Sequence, residues 1–171
     1  MWTATLPDRL GDFEKKVHAS YATAVARAED PVAKRVFATL AAEEEGHVAY
    51  LESRLEEWTG SGHLSDEALR TVLPAAERIK SGVKRLRSRV AARQGSHAAE
   101  LDSLRRALVA EEGTSAFYQQ MVRELPPEGQ ALFGRFLEIE DGHATVVQAE
   151  IDSVSQMGFW FDLKEFDLEA G

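Results

Sequence analysis

The chain has 171 residues, no cysteine, 44% hydrophobic residues and 20 Lys+Arg against 29 Asp+Glu, a net charge of −9. This composition supports one domain with a sizeable core and excludes disulfides, thiolate zinc sites, iron–sulfur clusters and thiol catalysis, so any metal must be held by His, Asp and Glu. The acidic balance argues against nucleic acid as a partner; the lack of a leader-like start or of roughly 18 consecutive apolar residues argues against a membrane and for the cytoplasm.

The segments between the five prolines are rich in Ala, Glu, Leu and Arg, and no alternating β-branched run interrupts them. The reading is therefore all-α. The first helix carries the stripe Leu10, Phe13, Glu14, Val17, Tyr21, Ala24, Ala28. Asp30-Pro31 reads as an N-cap followed by proline at the first helical position. The second stripe is Phe37, Leu40, Glu44, His47, Val48, Leu51, Leu55, Trp58, and Thr59 to Ser65 is expected to be a loop. A crossover over 59–95 holds a short helix with the stripe Ile79, Val83, Leu86, Val90. A third long helix starts near Ser96, with Leu101, Leu104, Leu108, Glu111, Ser115, Tyr118, Val122 and Leu125. Pro126-Pro127 breaks the chain before a fourth, with Leu132, Phe133, Phe136, Glu140, His143, Val147, Ile151 and Val154.

Short turns at Asp30-Pro31 and Pro126-Pro127 make two antiparallel hairpins, and the long crossover joins them. That is the ferritin-like four-helix bundle arrangement, expected over residues 1–158. Gly158 should stop the last helix. Residues 159–171, with Phe159, Trp160, Phe161 and Phe166, are too apolar for a free tail and should cover the bundle or a partner subunit.

The hairpins repeat. An offset of 97 places Glu14 on Glu111 and Tyr21 on Tyr118; an offset of 96 places Phe37 on Phe133, Glu44 on Glu140, Gly46 on Gly142 and His47 on His143. Glu14, Glu44, Glu111 and Glu140 all interrupt apolar stripes, where a glutamate needs a partner or a metal. His47 and His143 each follow a stripe glutamate by three residues and share its helix face. One Glu from each of two helices and Glu-x-x-His from each of the other two is the pattern of di-iron and di-manganese carboxylate bundles. Four carboxylates and two divalent cations balance in charge. The mixed ligand set suits iron or manganese, with zinc also accepted.

At Glu14-Lys-Lys-Val-His-Ala-Ser-Tyr21 with Glu44-Glu-Gly-His47, and again at Glu111-Glu-Gly-Thr-Ser-Ala-Phe-Tyr118 with Glu140-Asp-Gly-His143, the sequence resembles the rubrerythrin-like branch of the ferritin-like superfamily. The resemblance covers about residues 8 to 155. It implies two iron ions bridged by Glu44 and Glu140, with Glu14 and Glu111 as terminal ligands and one histidine per metal. It further implies that Tyr21 and Tyr118 hold carboxylates in place by hydrogen bonds. Rubrerythrins often carry a cysteine-bound iron site, which this chain lacks, so a separate redox donor protein is implied. They also tend to have a further glutamate where Thr114 stands here.

Other residues are assigned plainer roles. Glu43, Glu45, Glu112 and Asp141 are read as solvated charges, His18 as a core residue or a support to the centre, His63 and His97 as surface residues, and Met121 and Met157 as packing. The basic run Arg78, Lys80, Lys84, Arg85, Arg87, Arg89, Arg93 is read as a solvated face. Gly46 and Gly142 cost helix stability and suggest close approach of another element. The expected function is a di-iron oxidoreductase, peroxidase-like, reducing peroxide or O₂ as a homodimer. The alternatives are a ferroxidase or iron storage protein, and a binding module for which the metal is only structural.

Overall fold

Proline, capping side chains and left-handed glycines set the helix boundaries. The computed structural model of the chain describes residues 6–65, 68–73, 76–87, 97–158, 160 and 161, with backbone alone at 6–11, 76, 85–87 and 157. Among them there are helices and connections and no strand: α1 Leu6–Arg27, α2 Pro31–Ser61, α3 Ala76–Arg87, α4 Ala98–Glu124 and α5 Pro127–Met157. Asp30 caps α2 by accepting from Val32 N (2.7 Å) and Ala33 N (3.2 Å), with Pro31 in the first turn. Gly62 and Gly158 end α2 and α5 at φ 74° and 70°, a conformation only glycine adopts cheaply. Thr59, Gly60 and Ser61 are helical, contrary to the expected loop. The break comes at the first glycine that can turn left-handed with its N–H donating back to Trp58 O (2.8 Å).

The four long helices lie side by side, each antiparallel to its neighbours. In the α1–α2 pair Lys15 meets Glu52 and Tyr21 meets Phe37; in the α4–α5 pair Tyr118 meets Phe133 and Ser115 meets Asp141. Between the pairs, Phe13 stacks on Phe117, and Glu29 N donates to Glu100 (3.2 Å) at the other end. The crossover therefore has to travel the length of the molecule. Leu69, Leu73, Ile79 and Val83 are buried along its way, and α3 packs on α5. No described helix is long and apolar enough to cross a membrane.

The core divides in two. One apolar cluster, around Tyr21, Phe37, Leu40, Leu104 and Val147, lies toward the α1–α2 turn. The other, around Tyr118, Phe133, Phe136 and Met121, lies toward the α4–α5 turn. Trp160 and Phe161 join the first cluster. Trp160 meets Phe37 edge-on at 5.4 Å, and Phe161 N–H donates to the buried Glu150 (3.0 Å). These two aromatics thus cover the chain's own bundle. Phe159 and residues 162–171 lie outside the described residues, as do Val90, Arg89 and Arg93 of the crossover.

Candidate metal centre

Between the two apolar clusters sit Glu14, Glu44, His47, Glu111, Glu140 and His143, none more than 1% exposed. Helical spacing puts them there. Each occupies a core position on its own stripe, and the stripes of α1, α2, α4 and α5 converge at mid-height. His47 Nδ1 lies 3.0 Å from Glu140 Oε1 and 3.4 Å from both Glu14 Oε2 and Glu44 Oε2. His143 Nδ1 lies 2.6 Å from Glu44 Oε1 and 3.7 Å from Glu111 Oε1. The imidazoles stack 5.1 Å apart with planes 9° from parallel. Ligand atoms of Glu44, His47, Glu140 and His143 all fall within 4.8 Å of one another.

The tyrosines act across the hairpins. The Tyr21 hydroxyl of α1 donates to Glu111 Oε1 of α4, and the Tyr118 hydroxyl of α4 donates to Glu14 Oε1 of α1. Apart from these two bonds, the cluster's carboxylate and imidazole atoms have no hydrogen-bond partner among the described residues. An unsatisfied buried polar group costs about 1–3 kcal/mol, more when charged. So many converging on one point fit a cation, and the donor set of carboxylates and imidazoles suits a divalent transition metal. The buried Glu44, His47, Glu140, His143 group can hold a metal ion.

Without a cation, protons must offset the carboxylates. Burial, then the charge of Glu140, raises the Glu14 carboxyl well above the ordinary carboxylate range; burial with Glu140 and Glu44 does the same to Glu111. Burial works against charged imidazoles, but the surrounding carboxylates outweigh it and hold both His47 and His143 protonated above the ordinary histidine range. Burial also opposes ionisation of Glu44, but His143 and His47 outweigh it and keep that carboxylate ionised. Burial and the nearby carboxylates push both tyrosine hydroxyls upward, so they stay donors.

Glu43 corrects the sequence reading. It is not a solvated charge: its side chain is 9% exposed and its Oε2 lies 3.8 Å from His143 Nε2. It accepts from the Thr71 hydroxyl and from Val72 N (3.1 Å), so the crossover covers it. Glu45, Glu112 and Asp141 are exposed as expected. Thr114 is buried, and its hydroxyl donates to the Ala110 carbonyl of its own helix (3.1 Å). Gly46 and Gly142 also need correction, because a Cβ at either meets nothing within 4 Å. His18 and His97 are half-buried, and His63, Arg78, Lys80 and Lys84 are exposed.

Three buried charges went unremarked in the sequence, Arg54, Glu100 and Glu150. Arg54 and Glu150 each fall seven residues after a cluster histidine, on the same face, and that spacing was the signal available; Glu100 had no such signal. Comparison with protein-family models, characterised proteins and solved structures finds no match.

Proposed function

We propose that the chain is a ferritin-like four-helix bundle with a di-iron centre, and that it reduces peroxide with electrons from a separate redox protein. One observation carries the reading: two Glu-x-x-His pairs face each other in a dry core, flanked by two glutamates that each accept from the other hairpin's tyrosine. Glu44 and Glu140 would serve both ions, with Glu14 and His47 holding one and Glu111 and His143 the other. Two Fe(II) ions held there would supply the two electrons that, with two protons, convert H₂O₂ to two waters.

The protein's part is to orient, insulate and neutralise. Tyr118 fixes Oε1 of Glu14 and leaves its Oε2 toward His47, while Tyr21 fixes Oε1 of Glu111, the oxygen nearest His143. Phe133, Phe136, Leu40 and Val147, all fully buried, line the two sides and exclude bulk water. A homodimer in the cytoplasm completes the proposal.

Metal analysis of anaerobically purified protein, then stopped-flow mixing of its Fe(II) form with H₂O₂ and with O₂, tests it. Two irons per chain and faster oxidation by H₂O₂ at equal concentration are expected. Faster oxidation by O₂ would replace this reading with a ferroxidase. Redox-silent zinc and no reaction with peroxide would leave only a structural metal.

A further inference from the structure

We propose that Glu43 is a positioning residue for His143 and makes the two metal positions unequal, the one held by Glu111 and His143 filling before the one held by Glu14 and His47. This rests on the metal-centre reading above. It starts from a break in the repeat: the offset of 96 that pairs Glu44 with Glu140 and His47 with His143 pairs Glu43 with Ile139. The six cluster residues and both tyrosines have chemical twins, and Glu43 has none.

The consequence falls on the far nitrogen of one ring. His143 Nε2 lies 3.8 Å from Glu43 Oε2, a contact of charge rather than a hydrogen bond. His47 Nε2 has no hydrogen-bond partner among the described residues, and its ring meets Phe136 edge-on at 5.6 Å. Nδ1 of each histidine is the atom turned toward the cluster carboxylates. A histidine that binds metal through Nδ1 carries its proton on Nε2. An anion beside Nε2 favours that tautomer, holds the ring and strengthens Nδ1 as a donor. Thr71 and Val72 hold the Glu43 carboxylate in turn, so the anion has a fixed place. One histidine is therefore backed by a carboxylate and the other by the Phe136 ring.

Anaerobic titration of the chelated protein with Co(II), in competition with a chromophoric chelator, reads both positions without turnover. The wild type should take up two Co(II) in two steps of different affinity. E43Q keeps the side chain's shape and one oxygen, which can still accept from Val72 N, while its amide NH2 can donate to the Thr71 hydroxyl. It should weaken the tighter step by on the order of 10–100-fold and leave the other unchanged. H143A should abolish the tighter step and H47A the weaker. T71V, which keeps the carboxylate but removes one of its donors, should weaken the tighter step by less than E43Q does. Two equal steps in the wild type, both steps weakened together in E43Q, or a tighter step unmoved by both E43Q and T71V would overturn the proposal while leaving the metal centre standing. A wild type that takes up no Co(II) would overturn both.

Discussion

Glu44 and Glu45 are neighbours in sequence with opposite surroundings, and they make a paired test of the centre. Glu44 is fully buried between both imidazoles, whereas Glu45 is exposed. On the proposed two-metal reading Glu44→Ala removes a shared ligand, so metal content by elemental analysis should fall from two per chain to one or none. Glu45→Ala should leave metal content unchanged and shift stability by no more than about 0.5 kcal/mol. Equal loss in both variants, or in neither, would contradict the assignment. At this scale the six cluster residues were legible because a glutamate or histidine on an apolar stripe violates the stripe's own pattern. Glu43 was not, since it lies about 100° around the helix from Glu44. Its burial comes from Thr71 and Val72, 28 and 29 residues further on, and no local periodicity reports that.

Helices carry their own exceptions. Gly46 and Gly142 sit inside α2 and α5 at equivalent positions with open space where a Cβ would go. Without a close neighbour to protect, each costs backbone entropy and returns no packing. Gly46→Ala with Gly142→Ala should therefore stabilise the chelated protein by about 0.5–1 kcal/mol per site. Urea unfolding would show it as a raised midpoint at unchanged slope, and a lowered midpoint would mean that the added methyl groups are not tolerated at these positions. Helix starts and stops were readable where chemistry is local, as at Asp30-Pro31 and Gly158. The end of α2 was misplaced because Thr59 to Ser65 was read as a loop, whereas the helix runs to Ser61 and the chain turns left-handed at Gly62. Arg54 and Glu150 show a further regularity. They are equivalent under the repeat, both buried, and each binds the segment leaving its helix, Arg54 at Ser65 and Glu150 at Phe161. The charge differs but the task is the same.

For the molecule as a whole, the cluster links stability to metal and to pH. Metal bound only by the folded chain stabilises it by about 2.7 kcal/mol at a hundredfold excess over its dissociation constant. In the chelated chain Glu14, Glu111, His47 and His143 all hold protons more tightly folded than unfolded. Raised values stabilise below the unfolded value and lose that contribution as pH climbs toward the folded one. The carboxyls start to lose it above about pH 4.5 and the imidazoles above about pH 6.5. Glu44 acts in the opposite sense, its contribution fading as pH falls below the carboxylate range. Thermal melts in chelator should thus show a lower Tm at pH 8 than at pH 5.5. Metal-loaded protein should show the reverse, because metal displaces the same protons. A chelated Tm that rises across this interval would refute the linkage. The all-helical class and the two hairpins were visible in the sequence through helical stripes and short turns. The path of the crossover was not, because it depends on contacts such as Leu69 with Arg135 that join distant segments.

The crossed tyrosine bonds make the centre a joint product of the two hairpins. Neither half alone holds both a buried cluster glutamate and the tyrosine hydroxyl that binds it. The crossover is then a tether, keeping one hairpin at an effective concentration on the order of millimolar around the other. Cutting the chain between Arg87 and His97 would turn a unimolecular assembly into a bimolecular one, and metal affinity would come to depend on how much protein is in the tube.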